Sequence, residues 1–378
     1  MNATFIHSAQ LEQYSYPPEC PFKTERAGMA YRTLMSMGLL NGAGRTVAPP
    51  QQPDRAAVER FHSSRYLDII DAAAHGHLDV EGLHMGLGTP DTPIFKGVYE
   101  YAMLACAATL TAARLVLDGT THIAFNPSGG YHHAHYERAG GFCYVNDVGV
   151  ACTELANEGK RVLFLDVDAH HGDGVQAGFY DRRDVMTISF HENGRTLFPG
   201  TGWENEIGVG EGEGFAVNIP LPPDVFDEVF VWAFLEVALP LTKRFDPDVI
   251  LLELGMDGLA GDPLTHMSLT NNAYADVISL TMSLGKPIVA TGGGGYNSAN
   301  AARGWALAWS VLCGADVGRD GLNPGLGGVL LESTDWQGGL RDRELPPDPE
   351  QRAAVEPAVT ATVETVKANV FPIHGLTT

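Results

Sequence analysis

Five short apolar runs recur along the chain, and each ends in polar chemistry. Residues 122–125 precede Asn-Pro-Ser-Gly-Gly-Tyr-His-His, and 162–165 precede a cluster of Asp and His. Residues 185–190 lead into His191, 249–254 into Gly-Met-Asp257, and 287–290 into Thr-Gly-Gly-Gly-Gly-Tyr296. Stretches with apolar positions at helical spacing separate them, at 97–117, 143–157, 227–243, 271–284 and 299–312. Strand–helix–strand alternation predicts an α/β fold: a single-domain parallel sheet with helices on both faces. In such sheets the site lies beyond the carboxyl ends of the strands, and five strands deliver polar residues there. Residues 42–56 read as a loop after an early helix. Residues 314–350, rich in Gly, Pro and Asp, read as a surface wrap, and 349–370 as a further helix. No internal repeat is visible.

Composition narrows the classes. With 378 residues and 44% apolar content, the chain can bury a large core. A net charge of −22 offers no basic stripe for phosphates, which argues against nucleic acid, and an acidic surface would attract cationic substrates. The five cysteines (Cys20, Cys106, Cys143, Cys152, Cys313) form no C-x-x-C pair and read as reduced thiols of a cytosolic protein. The first residues lack a basic region followed by an apolar stretch, so no secretory leader is expected. No membrane span is expected either.

The richest stretch is 162–174, Val-Leu-Phe-Leu-Asp-Val-Asp-Ala-His-His-Gly-Asp-Gly. Charges at the end of a core strand are costly unless paired or bound to a metal. Asp168 and His170 are two residues apart, so an extended backbone points them the same way. A hard oxygen and an imidazole nitrogen together suit zinc or iron(II). Asp257, between glycines after another apolar strand, supplies a third ligand, whereas Asp262 reads as a turn cap. The tandem pair His132-His133 is a candidate proton carrier, with Asp166 and Asp173 available to orient the imidazoles. His135 and His171 are assigned structural roles. The polyglycine turn before Tyr296 lacks a nucleotide-binding pattern and instead lets the tyrosine hydroxyl reach a developing oxyanion. Gly208 to Gly214 alternates glycine with acid, has no strand feeding it, and reads as a loop.

These residues are those of a known family. The chain resembles the zinc-dependent histone deacetylases of the arginase–deacetylase superfamily. The resemblance rests on Gly-Gly-Tyr-His-His-Ala-His, Gly-Gly-Phe-Cys-Tyr-Val-Asn-Asp, Asp-Val-Asp-Ala-His-His-Gly-Asp-Gly, Met-Thr-Ile-Ser-Phe-His, Phe-Pro-Gly-Thr-Gly, Gly-Met-Asp-Gly-Leu-Ala-Gly-Asp-Pro-Leu and Gly-Gly-Gly-Gly-Tyr-Asn. These occur in the family's order within 14–313, and Phe-Cys-Tyr-Val-Asn-Asp is most similar to the class I and bacterial acetoin-utilisation branch. The resemblance implies Asp168, His170 and Asp257 as zinc ligands and His133 as general base and acid. It implies His132 as its electrostatic partner, with Asp166 behind His132 and Asp173 behind His133, and Tyr296 as the transition-state tyrosine. It further implies Phe142 and Phe198 as walls of an acyl-lysine tunnel with Gly141 at its base, Leu264 and Asp91 at the rim, and Arg26 in an inner acetate cavity. A potassium site would use Asp166, Asp168, His170, Ser189 and Phe190.

The implied activity is removal of acyl groups from lysine in proteins or peptides. Three alternatives compete. A binuclear manganese ureohydrolase would need further metal ligands where His132-His133 stand. An acetylpolyamine hydrolase would suit the acidic charge, although some polyamine-selective relatives carry glutamate where Leu264 stands. A non-catalytic scaffold would not need the full set of matched residues. Acyl preference, natural substrate and oligomeric state are not specified by these patterns.

Overall fold

The computed structural model describes residues 2–316, 318 and 339–378. Its centre is an eight-stranded sheet of β1 (Ala3–Ile6), β2 (Arg45–Ala48), β3 (Ile123–Asn126), β4 (Val162–Asp166), β5 (Val185–Glu192), β6 (Ala216–Leu221), β7 (Val249–Glu253) and β8 (Ile288–Thr291). The spatial order is β2-β1-β3-β8-β7-β4-β5-β6, and every pairing is parallel. The expected parallel α/β sheet is therefore present, and all five expected strands lie within it.

The sheet is buried on both faces because its strands alternate apolar residues toward two cores. On one face Val162 and Phe164 of β4 join Leu251 of β7 and the helices Ser64–Ala74, Val98–Leu117 and Asp147–Asn157. On the other, Leu163 and Leu165 join Leu252 and the helices Arg26–Ser36, Asn271–Met282, Ser298–Leu312 and Pro349–Val370. Asp166 and Glu253 stand opposite each other in register at the ends of β4 and β7, on the first of these faces.

Some elements differ from the sequence expectation. The segment 42–56 contains the edge strand β2 rather than loop alone. The other edge, β6, carries Pro220, whose missing N–H is tolerated at an edge. The helix Pro349–Val370 packs on β6, and Thr362 donates to the Pro220 carbonyl at 3.2 Å. The expected helix at 227–243 runs from Asp227 to Phe245 with a π turn, Phe234–Ala238, that ends two residues before Pro240. Pro240 has no N–H to donate, and the ladder widens beside it. Much of the wrap expected at 314–350 falls at 317 and 319–338, outside the described residues. The helix Val98–Leu117 is long and apolar enough by composition to cross a bilayer, but most of it is buried within the fold, where it acts as a core helix.

Candidate active site

Residues after the carboxyl ends of β3, β4, β7 and β8 converge. The turn after β3 carries Gly129, Gly130, Tyr131, His132 and His133, and it is held from outside. Asp147, at the start of the helix Asp147–Asn157, accepts from the N–H of Gly130 (3.1 Å) and of Tyr131 (2.8 Å). Asn146 caps the same helix and donates its amide to the carbonyls of His132 and Ala134 at 3.2 and 2.9 Å. His62, fully buried, accepts from the Asn146 N–H at 2.9 Å. The Val-Asn-Asp motif thus fixes the backbone of the histidine pair, a role the sequence alone did not reveal.

The two histidines have separate carboxylates. His132 Nδ1 lies 3.0 Å from Asp166 Oδ2, and His133 Nδ1 lies 2.7 Å from Asp173 Oδ1. Their Nε2 atoms face each other at 3.1 Å. Burial lowers both imidazoles, but for His132 the carboxylates of Glu253, Asp166 and Asp168 outweigh it and raise its pKa well above the ordinary value. For His133 burial and the charge on His132 prevail, and its pKa falls to about 4. The surroundings thus favour the charged form of His132 and the neutral form of His133.

Asp168, His170 and Asp257 form the second half of the site. His170 Nδ1 lies 2.8 Å from Asp257 Oδ2 and 3.2 Å from Asp168 Oδ1. One ligand atom from each residue lies within 4.8 Å of the others, and all three residues are buried. The Gly294 N–H donates to Asp168 Oδ2 at 2.6 Å, and a Cβ at Gly255 or Gly294 would run into Asp168 or Asp257. Burial and the neighbouring Asp168 push the Asp257 carboxyl up to about 7. Burial lowers His170, but Asp168 and Asp257 overcome it and raise its pKa to about 10. Two buried acids around one imidazole leave negative charge that a divalent cation would offset, so the donor set fits such an ion.

The remaining sequence candidates surround this centre. Tyr296 lies with its ring 6.2 Å from His170 and 5.6 Å from Phe142. Burial, with Asp257 and Asp168 nearby, raises its hydroxyl well above the usual range, so it stays a donor. Its N–H donates to Asp262 Oδ2 at 2.7 Å, and Leu264 N–H donates to Asp262 Oδ1 at 3.0 Å. Asp262 is therefore a backbone clamp that joins the Leu264 and Tyr296 loops. Gly141 has φ +51, and a Cβ there would meet the rings of His133 and Phe198. The Phe198 ring sits 5.0 Å from His133 and is 45% exposed, at the mouth. Asp91 is exposed, and its carbonyl accepts the Phe142 N–H at 3.0 Å, which ties the Asp91 loop to the turn that carries Phe142.

Arg26 is buried behind the site. It donates to the carbonyls of Gly295 (2.6 Å), Gly293 (3.1 Å) and Lys23 (2.9 Å), and its guanidinium stacks over Phe22 and Trp305. The cavity beside it measures about 10 Å³, room for one water and too small for acetate. In this conformation Arg26 clamps the polyglycine turn. For the potassium candidates, Asp166 pairs in register with Ser189, and the Ser189 hydroxyl lies 2.8 Å from His191 Nδ1. Phe190 follows on the same strand, in the core.

One group escaped the sequence reading, and one contact was not foreseen. Glu253 is fully buried, with one oxygen 3.0 Å from His132 Nδ1, yet both its oxygens lack a well-aligned hydrogen bond. Its place at the end of an apolar strand was the available signal. His135, assigned a structural role, places Nε2 3.0 Å from Asp173 Oδ2 and so shares that carboxylate with His133. His171 does pack structurally, with ring nitrogens 2.9 Å from the Thr201 hydroxyl and 3.2 Å from Gln176 Oε1. All five cysteines are free thiols.

Comparison with known proteins matches residues 20–312 to the family model described as a histone deacetylase domain. The acetoin utilization protein AcuC of Bacillus subtilis is 39% identical, over 84% of each chain. The histone deacetylase RPD3 of Saccharomyces cerevisiae is 34% identical, over 84% of this chain and 73% of its own. The crystal structure of an HDAC homologue complexed with SAHA superposes with a TM-score of 0.82 at 30% identity. It covers 97% of this chain and 100% of the homologue.

Proposed function

Since the chain belongs to the histone deacetylase family, we propose that it removes acetyl or longer acyl groups from the side-chain amine of lysine in proteins or peptides. One observation carries this reading: a histidine pair with separate carboxylates opens onto the Asp168, His170 and Asp257 cluster. Zinc is the ion proposed for that cluster, with iron(II) also compatible with two carboxylates and an imidazole. When bound, such an ion would polarise the amide carbonyl and make water a stronger acid.

The protein's own groups account for the proton movements. Neutral His133 takes a proton at Nε2 as water attacks the carbonyl carbon. Asp173 stabilises the resulting imidazolium through Nδ1. Cationic His132 supplies positive charge beside the attacking oxygen. The Tyr296 hydroxyl donates to the oxygen that gains charge. His133 then returns its proton to the departing lysine nitrogen as the C–N bond breaks, and acetate and amine are the products. Phe142 and Phe198 would sandwich the alkyl chain and exclude water, with Gly141 leaving room at the base. Asp91 and Leu264 would meet the substrate at the rim. A monovalent cation, proposed as potassium, would sit against Asp166, Asp168, His170, Ser189 and Phe190 and offset their charge.

The net charge of −22 favours a second reading, hydrolysis of an acetylated polyamine at the same site. Leu264, with no charge to offer a cation, favours the lysine reading. The test is hydrolysis of an acetyl-lysine peptide by zinc-loaded protein, with ion content counted. Turnover with one zinc per chain, lost in His133→Ala, supports the proposal. Two divalent ions per chain and urea-forming activity would support the ureohydrolase alternative instead.

A further inference from the structure

The turn that carries His132 and His133 carries a third imidazole bound to the same machinery. Asp173 meets His133 Nδ1 through Oδ1 at 2.7 Å and His135 Nε2 through Oδ2 at 3.0 Å. One carboxylate is thus held between two histidines. The side chain of His133 is 6% exposed and that of His135 24% exposed, so the pair joins the buried base to a solvent-facing ring. His135 lines a surface groove of about 670 Å³. Its backbone is fixed by exchange with Arg138, with His135 N–H donating to the Arg138 carbonyl at 2.8 Å.

From this juxtaposition we infer that His135 is a positioning residue for the general base, acting through Asp173. The inference rests on the reading of His133 as that base. To hold a carboxylate oxygen, His135 must present an N–H at Nε2. That donor fixes the carboxylate so that Oδ1 faces His133. Without that donor the carboxylate is free to turn, and the His133 ring loses its fixed orientation. Besides Asp173, the charged groups around the groove are Arg60, Glu137, Arg138 and Arg182. Arg182 is committed to Asp184, and Arg60 lies 3.8 Å from Glu154. His62 packs behind the turn, its Nδ1 3.3 Å from the Tyr136 carbonyl.

The experiment compares the wild type, His135→Phe and His135→Gln, all as zinc-loaded full-length protein. NMR of the His133 ring signals reports the setting of the ring, and kcat and KM for an acetyl-lysine peptide are measured separately. His135→Phe should move the His133 ring signals and lower kcat about tenfold, with KM within about twofold. His135→Gln, which keeps an N–H donor, should restore the signals and most of kcat. Unmoved His133 signals in His135→Phe overturn the inference, and so does a loss of kcat that His135→Gln does not rescue. A wild type that hydrolyses no acyl-lysine counts against the proposed function alone, since the NMR comparison still decides the role of His135.

Discussion

Replacing Tyr296 with phenylalanine isolates one hydroxyl. The ring sits against Phe142 at 5.6 Å and His170 at 6.2 Å, and phenylalanine keeps both contacts. The backbone is held independently, by Asp262 on the Tyr296 N–H and by Arg26 on the Gly295 carbonyl. Metal affinity and fold should therefore be unchanged. What is lost is a donor that burial keeps protonated. One preorganised oxyanion donor contributes about 3–4 kcal/mol to the transition state, so kcat should fall about 10²–10³-fold. Substrate binding in the ground state should change little, so KM should stay within about threefold. The assay is steady-state hydrolysis of an acetyl-lysine peptide, with zinc content and thermal unfolding as controls. A loss below about fivefold, with zinc retained, would remove Tyr296 from the chemistry.

Three further outcomes follow from the geometry. Asp257→Asn replaces a buried charged ligand with a neutral one and should weaken zinc binding by more than about 100-fold in a chelator competition, beyond the effect of losing an outer-shell partner. Gly141→Ala places a Cβ against His133 and Phe198 at φ +51; left-handed strain alone costs about 1–2 kcal/mol, so both melting temperature and kcat/KM should drop. His62 titrates at about 4 in the fold, chiefly because burial disfavours its charge, against 6.5 when unfolded. Its contribution is complete above 6.5, is lost as pH falls from 6.5 to about 4, and totals about 3 kcal/mol. His62→Gln should therefore flatten urea stability across that pH window relative to the wild type, and an equally steep loss would show that other groups drive it.

The chemistry was legible where it interrupts apolar strands. Asp168, His170 and Asp257 stand out because ionisable side chains rarely follow core strands without a partner. The central strands read correctly because burial on both faces gives continuous apolar runs. The outer strands β1, β2 and β6 did not; the edge strand β2 is partly exposed, and the edge strand β6 contains Pro220 and Asn218. Glu253 was hidden because one acid closing the run Val-Ile-Leu-Leu-Glu resembles an ordinary strand end. Its relation to Asp166 depends on the register of two strands distant in sequence. The contact of His135 was not legible for a similar reason: its partner Asp173 lies on another loop, and only the tertiary fold shows that this acid meets two imidazoles.

The most direct measurement compares kcat/KM of the zinc-loaded protein on an acetyl-lysine peptide, longer acyl-lysine peptides and acetylputrescine, each with wild type and His133→Ala. The account predicts hydrolysis of at least one acyl-lysine peptide in preference to acetylputrescine, lost in His133→Ala. Turnover confined to acetylputrescine, or acyl-lysine hydrolysis that survives the loss of His133, would contradict it.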